Sequence, residues 1–187
     1  MIDHFEARFS AVGGQGILLA GDILAEAAIT YEGLNAVGSP TYTAQVRGGP
    51  TKVDVILDRE KIQFTRTTDI DFMLCLAQKS WNQFGFDLKD NAIILIDPSL
   101  VHKIDDEEKY RVFRMPIIEL TKTHLQRMVY TSAVSLGAMI GLTQVLPTES
   151  VEKALMDKAP RGTEAPNRKA FYLGYEAARA LIQEGKN

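Results

Sequence analysis

The feature that most constrains the fold is a strand-like segment that runs through a glycine turn into a helical segment near the start of the chain. Residues 5–12 are typical of a strand, Gly13-Gly14-Gln15-Gly16 forms the turn, and a helix is expected over about 16–32. Glycines let the backbone approach a ligand closely, while the free amides and the dipole at a helix start favour an anion such as phosphate. The junction therefore predicts an α/β element order and a candidate anion site.

Later segments extend this order. Strands are expected at 34–37, 52–57, 72–77, 92–96 and 111–114, and helices at 79–86, from about 117, at 131–145, from Thr148 and after the loop 159–166. The two central strand segments are continuously apolar, which is typical of strands buried on both faces. Strands separated by helices predict a three-layer α/β/α fold with a largely parallel central sheet and a helical C-terminal third. With 187 residues, the chain is expected to form a single domain over 1–187.

The C-terminal helices carry their own end signals. The Thr148 hydroxyl is expected to cap one helix and Asn167 the next, with Gly185 ending the last. An apolar stripe on the last helix consists of Phe171, Tyr175, Ala178 and Ile182. These positions recur at helical spacing, so they are expected to face the core.

Small residues interrupt the most apolar helix. Gly137 and Gly141 lie four residues apart within segment 133–142, so another backbone can come close to that face. The segment is much shorter than the roughly 20 residues that cross a bilayer, so no membrane association is expected. Packing in the core or between subunits is the expected role, and self-association of an isolated chain through this segment is an alternative.

Composition excludes several classes of protein. The 21 basic and 24 acidic residues give a net charge of −3, which argues against a general nucleic-acid binder. The first residues lack the basic start and apolar run of a secretory signal, so a cytoplasmic location is expected. The lone cysteine, Cys75, can neither form an internal disulfide nor hold an iron–sulfur cluster.

The glycine turn does not match the common nucleotide motifs. A dinucleotide-binding turn needs a third glycine where this chain has Leu19, and an acidic residue after the second strand, where residues 37–39 have none. A P-loop needs Lys and Ser or Thr where Asp22 and Ile23 follow Gly21. A turn that serves only tight packing remains an alternative to an anion site.

A second motif, Thr41-Tyr42-Thr43-Ala44-Gln45-Val46-Arg47-Gly48-Gly49-Pro50, precedes a strand-like segment. Its Arg47 offers a planar fork of donors suited to carboxylate or phosphate. We expect both motifs at the same edge of the sheet, because ligands of open α/β sheets bind at the carboxyl edge.

Taken together, the two motifs closely resemble the gamma subunit of 2-oxoacid:ferredoxin (acceptor) oxidoreductases, and the Thr-Tyr-Thr-Ala-Gln form is most similar to the 2-oxoglutarate enzymes. The resemblance covers essentially the whole chain, although many members carry Glu where this chain has Gln45. It implies a subunit of a complex that oxidatively decarboxylates a 2-oxoacid, forms the acyl-coenzyme A and passes electrons to ferredoxin or a related acceptor.

The resemblance also implies partners and cofactors. Thiamine diphosphate, magnesium and iron–sulfur clusters are expected on alpha, beta and ferredoxin-like delta subunits, with no cofactor or metal held by this chain alone. The gamma part is similar to a domain that helps accommodate coenzyme A. The candidate residues for contact with coenzyme A or a companion subunit are Gly13, Gly14, Gln15, Gly16, Thr41, Tyr42, Thr43, Gln45, Arg47, Gly48 and Gly49. No catalytic residue is expected, and the isolated chain is expected to be inactive.

Two other functions stay open at this point. One is a stand-alone NAD- or FMN-binding protein that uses the glycine turn, and the other is a purely structural subunit of a pyruvate or branched-chain 2-oxoacid oxidoreductase. Three histidines are scattered and are expected to be structural or exposed: His4, His102 and His124. Three aspartates near strand ends are interpreted as solvated turn carboxylates rather than a metal site: Asp69, Asp71 and Asp97.

Overall fold

The strands and helices are those of a computed structural model that describes residues 2–13, 16–42 and 48–184. Within these residues the strands are β1 (His4–Val12), β2 (Asn35–Tyr42), β3 (Pro50–Asp58), β4 (Ile70–Cys75), β5 (Leu88–Ile96) and β6 (Arg111–Arg114). The helices are α1 (Ile17–Glu32), α2 (Gln78–Phe84), α3 (Ile117–Leu125), α4 (Thr131–Thr143), α5 (Thr148–Lys158) and α6 (Glu164–Glu184). The predicted α/β fold with a helical C-terminal third is confirmed.

The strands form one sheet in the order β2-β3-β1-β4-β5-β6. β1, β4, β5 and β6 pair in parallel, whereas β3 runs antiparallel to both of its neighbours, β1 and β2. The sheet is therefore largely parallel, as predicted, with β3 alone reversed among the described strands. This reversal places the start of β3 beside the ends of β1 and β2.

β2 is longer than the sequence predicts. The expected strand at 34–37 continues to Tyr42 through Gly38 and Pro40, and Pro40 pairs with Val53 of β3. Proline cannot donate a ladder hydrogen bond and is tolerated mainly on edge strands. β2 lies at the edge of the sheet, so these turn-forming residues do not end it.

One face of the sheet is covered by α1 and α3–α6 in a single apolar core. Every residue from Thr131 to Leu142 of α4 is buried. A Cβ atom on Gly137 would lie 1.9 Å from the Phe171 carbonyl oxygen, and one on Gly174 would lie 1.9 Å from that of Val134. The predicted close backbone approach is therefore an internal contact between α4 and α6. Self-association through segment 133–142 was a wrong alternative, because α6 and the sheet already cover it.

The opposite face carries a smaller apolar cluster beneath α2. Its buried members include Met73, Cys75, Trp81, Phe84, Ile94 and Ile96. Alternate residues of β4 thus face different layers, which is the expected consequence of a two-residue side-chain period. The three-layer architecture is confirmed by these two separate clusters.

Two predicted helix caps differ from the structure. Thr148 is the first residue of α5, where no side-chain cap is formed, because Pro147 occupies the capping position. α6 begins at Glu164, so Asn167 lies inside its first turn, where its side-chain amide donates to the Thr163 carbonyl at 2.9 Å. Gly185 lies outside the described residues. In the part of the chain that the structure describes, no helix has the length and apolar character needed to span a membrane.

Candidate functional site

The two glycine motifs meet at one edge of the sheet. The backbone N–H of Gly13, after β1, donates to the carbonyl of Gly49, before β3, at 3.4 Å. In the same register Val12 pairs with Pro50, and Tyr42 pairs with Thr51. The antiparallel β3 therefore brings the second motif to the carboxyl ends of β1 and β2, at the edge that the sequence predicts.

Gly16 fits its position for two physical reasons. It has a left-handed conformation with φ of +73°, and a Cβ atom there would lie 3.1 Å from the Cβ of Ser132. It occupies the capping position before α1, where it has no side chain to cap the helix, and the first turn of α1 has no acidic residue. The positive end of α1 is therefore not neutralised by a carboxylate of that turn, which suits an anion or a hydrogen-bond acceptor from another molecule.

Gly48 and Thr41 complete the described part of this edge. Gly48 is exposed and left-handed, with φ of +73° and open space where a side chain would be. Thr41 is also exposed and pairs with Lys52 of β3. Because Gly48 has no side chain, the backbone there can come close to a bound molecule without obstruction by the described residues.

Several predicted site residues lie outside the described residues. They are Gly14, Gln15, Thr43, Gln45 and Arg47, and for Tyr42 only the backbone is described. The structure thus brings together Gly13, Gly16, Gly48, Gly49 and Thr41. It also adds Ser132, which sequence reasoning missed because α4 approaches Gly16 only through the tertiary fold.

Comparison with known proteins identifies the family. Residues 6–177 match the model described as pyruvate ferredoxin/flavodoxin oxidoreductase. The chain belongs to this family. Its similarity to the gamma subunits of 2-oxoacid:ferredoxin oxidoreductases, indicated by the two motifs, is confirmed.

Relatives of this oxidoreductase family match the chain from end to end. The chain is 36% identical over 177 residues to the 2-oxoglutarate synthase subunit KorC of Methanocaldococcus jannaschii, covering 94% of this chain and 95% of the relative. The keto/oxoacid ferredoxin oxidoreductase gamma subunit of Geobacter sulfurreducens has 38% identity and a TM-score of 0.88, covering 96% of this chain and 99% of that one.

A second similar structure is the 2-oxoglutarate:ferredoxin oxidoreductase of Magnetococcus marinus with 2-oxoglutarate, coenzyme A and succinyl-CoA bound. Its TM-score is 0.82 at 24% identity, with 97% of this chain and 32% of that chain covered. The same fold is therefore found within a chain about three times as long.

The geometry also explains the departure of this oxidoreductase chain from the dinucleotide-binding motif. Leu19, at the third-glycine position, is 42% exposed, so it does not lie between helix and sheet. Gly21 takes that place instead, since a Cβ atom there would lie 2.7 Å from Val53 Cγ1. The close packing of helix on strand is preserved, but at a different position along the helix.

Asp97, at the end of β5, is not the solvated turn carboxylate that the sequence indicated. It is fully buried, where Oδ1 accepts from the N–H and hydroxyl of Ser99 at 2.9 and 2.6 Å. Its Oδ2 accepts from the N–H of Ile118 at 2.8 Å. Asp97 therefore caps α3 in place of Pro116, which has no side-chain donor or acceptor.

The other titratable candidates also have structural or exposed positions. Asp71 is not a solvated turn carboxylate as predicted, because it lies partly buried within β4 and accepts from the Glu6 N–H and from Lys89. Asp69 is exposed beside Lys89, as predicted. His4 lies between Asp58 and Glu6, and His102 and His124 are exposed. The described residues contain no group of three or more side chains arranged to bind a metal ion.

Proposed function

We propose that this chain is the gamma subunit of a multi-subunit 2-oxoacid:ferredoxin oxidoreductase that acts on 2-oxoglutarate. The observation that carries the proposal is the end-to-end match to the KorC subunit at 36% identity, with 94% and 95% of the two chains covered. In the proposed reaction the carboxyl group of the 2-oxoacid leaves as carbon dioxide and the acyl group is transferred to the sulfur of coenzyme A. Two electrons pass singly to ferredoxin, and the thiol proton is released.

Within this complex, the redox cofactors would be held by companion subunits. An iron–sulfur cluster needs several thiolates, and the chain has the single cysteine Cys75. Burial raises the pKa of the Cys75 thiol, despite weaker opposing hydrogen bonds, so the thiolate that would bind iron is disfavoured. Thiamine diphosphate and magnesium would likewise be bound by the alpha or beta subunits, and a ferredoxin-like delta subunit would carry electrons.

The paired glycine motifs would then form the surface that faces coenzyme A or a companion subunit. Three features support this role: the contact between Gly13 and Gly49, the left-handed Gly16 and Gly48, and the start of α1, whose capping position at Gly16 carries no side chain. All offer backbone donors or steric access rather than a nucleophile or a base. The role is therefore binding and positioning, and the bond-breaking steps belong to other subunits.

Reconstitution tests the proposed function directly. The chain is coexpressed with its alpha, beta and delta companions, and 2-oxoglutarate, pyruvate and branched-chain 2-oxoacids are compared with coenzyme A and a dye acceptor. We expect turnover that prefers 2-oxoglutarate in the complex, and none with the chain alone. Turnover by the isolated chain would contradict the non-catalytic role. Micromolar binding of NADH or FMN by the isolated chain, measured by calorimetry, would favour the stand-alone nucleotide-binding alternative.

The role of Arg47 gives a residue-specific prediction. Arg47→Ala in the assembled complex should raise the KM for coenzyme A about tenfold, since a hydrogen bond to a charged group contributes about 1.5–3 kcal/mol. The kcat should change little. Arg161→Ala, at an exposed arginine between α5 and α6, is the matched control. An unchanged KM for both variants would mean that the glycine motifs serve packing alone.

A further inference from the structure

A cleft of about 480 Å³ opens at the edge of the sheet opposite the glycine motifs. It lies where α1 and α4 end, beside the start of α5 and next to the residue that leads into β1. Its apolar walls are formed by Ile2, Leu34, Val145, Leu146 and Pro147. A cleft of this size and lining suits the apolar stem of a long side chain or a small ligand.

The charged side chains of the cleft are acidic, and its other polar side chains, Gln144 and Thr148, are neutral. Glu32 and Glu149 line it, and none of the described lining residues is Lys, Arg or His. The C-terminal ends of α1 and α4 add partial negative charge, because neither helix has a basic residue in its last turn. The start of α5 carries partial positive charge, but Glu149 in its first turn offsets that charge. The cleft is therefore negative at its polar end and apolar along its walls.

Glu32 is held in position to receive a cation. Its Oε1 accepts a short hydrogen bond from the Ser150 hydroxyl, which ties the end of α1 to α5. Among the described residues, no hydrogen bond is made to its Oε2. A fixed carboxylate with a free oxygen loses little conformational entropy when it pairs with an ammonium or guanidinium group.

We propose that this cleft receives a lysine or arginine side chain of a companion subunit, an inference that rests on the proposed function. Long basic side chains lay methylene groups along apolar surface and keep the charge at the tip. Their stem would follow the walls at Leu34 and Leu146, and their charge would meet Glu32 and Glu149. The cleft would thus be a second contact with the complex, remote from the coenzyme A edge.

Binding measurements test the charge complementarity. The chain is immobilised and the purified companion subunits are titrated over it. The double variant Glu32→Gln/Glu149→Gln should raise the Kd about tenfold at low salt, and the difference should shrink at high salt because the ion pair is screened.

Two further variants separate charge from positioning. Ser150→Ala removes the internal hydrogen bond that positions Glu32 but keeps both carboxylates, so it should raise the Kd less than the double variant does. Glu108→Gln removes one exposed carboxylate outside the cleft and should leave the Kd within about twofold of the original value. If either variant weakened binding as much as the double variant, the effect would not come from the charges of the cleft and the proposal would be overturned.

Cross-linking identifies the occupant. Thr148→Cys adds an accessible thiol at the cleft, whereas Cys75 is buried and unreactive. The purified variant is labelled with a benzophenone maleimide, assembled, irradiated and mapped by mass spectrometry. A cross-link to a companion segment that contains Lys or Arg is expected. A cross-link to a segment without either, to this chain's own first residues, or to no protein would overturn the proposal.

The result also separates this inference from the proposed function. If the complex assembles and oxidises 2-oxoglutarate while the Kd of the double variant is unchanged, the cleft proposal is overturned and the proposed function is retained. If the original chain does not assemble into an active complex, the proposed function itself fails.

Discussion

At the scale of single residues, the guanidinium of Arg8 needs several hydrogen-bond partners, because it is charged and only 1% exposed. Its Nε and Nη2 donate to the two carboxylate oxygens of Asp54 at 2.7 and 3.0 Å. Its Nη1 donates to the carbonyls of Phe84 and Phe86 at 2.7 and 2.9 Å. One side chain therefore joins β1 and β3 to the end of α2.

The stability of this network depends on Asp54. Burial alone would raise the pKa of Asp54, but the hydrogen bonds and charge of Arg8, together with Lys52 and Thr67, outweigh this and hold the pKa below its usual value. Asp54→Asn should lower the free energy of unfolding at pH 7 by about 3 kcal/mol, because it leaves a buried charge unpaired. Urea unfolding measures the change.

The lowered pKa of Asp54 also predicts how its contribution to stability changes with pH. The contribution of the Asp54 carboxylate is present above about pH 4 and is lost as the pH falls through its lowered folded value. The difference between the original chain and Asp54→Asn should therefore shrink in acid. Asp106→Asn, which removes only the exposed pair with Lys109, should cost less than about 0.5 kcal/mol. Equal losses for the two variants would contradict the prediction.

His4 gives a pH prediction of the opposite sign. Partial burial lowers its pKa, but the hydrogen bonds and charges of Asp58 and Glu6 outweigh this, so the pKa is raised above 6.5. The stabilising contribution of the imidazolium is therefore complete below about pH 6.5 and is lost as the pH rises through the folded value. An NMR titration should give a midpoint above 6.5 that falls in Asp58→Asn. A midpoint at or below 6.5 in the original chain would refute this.

At the scale of elements, the crossing of α4 and α6 is the closest contact between helices. Gly137 and Gly174 each face a backbone carbonyl of the other helix at a distance that leaves no room for a side chain. The absence of Cβ atoms allows the two helices to bury their backbones against each other. The apolar segment that contains Gly137 is therefore packed against another helix of the same chain.

Gly174→Ala should be strongly destabilising. Its Cβ would lie 1.9 Å from the Val134 carbonyl oxygen, so the two helices must separate, and we expect a loss of about 3 kcal/mol in the free energy of unfolding. Gly38→Ala is the matched control, because it has open space and lies in a strand, where alanine is favoured over glycine. Thermal unfolding of the two variants measures the difference. Similar melting temperatures would show that the crossing is looser than the structure indicates.

The sequence predicted whether a segment forms a strand or a helix better than it predicted where that strand or helix begins and ends. Continuous apolar runs located β4 and β5 because burial on both faces leaves a strong pattern. The predicted end of the second strand at residue 37 and the predicted helix cap at Thr148 were wrong because both features depend on tertiary position. An edge strand accepts Pro40, and Pro147 occupies the capping position before Thr148. The interpretation of Asp97 was wrong for a related reason, since its partner Ile118 belongs to another element.

At the scale of the whole molecule, the sequence predicted the layers and the shared edge of the two motifs, but not the strand order. The reversal of β3 and its insertion between β1 and β2 have no local signature, because pairing partners are distant in sequence. The Arg8 network was not predicted, because its partners are also distant in sequence. Glu6, Arg8 and Ser10 alternate with apolar residues, which suggests an exposed face, yet α2 and the segment around Thr67 cover it.

The central position of α4 predicts how the molecule opens. Its residues are buried on all sides between the sheet and the other helices, so its amides can reach water only when α6 leaves and the apolar core opens. Native-state hydrogen exchange should therefore give the α4 amides the same free energy of opening as global urea unfolding. The outward amides of edge strand β2 should exchange with a lower free energy. Exchange of α4 well below the global value would show that α6 detaches as a separate unit and that the core remains ordered without it.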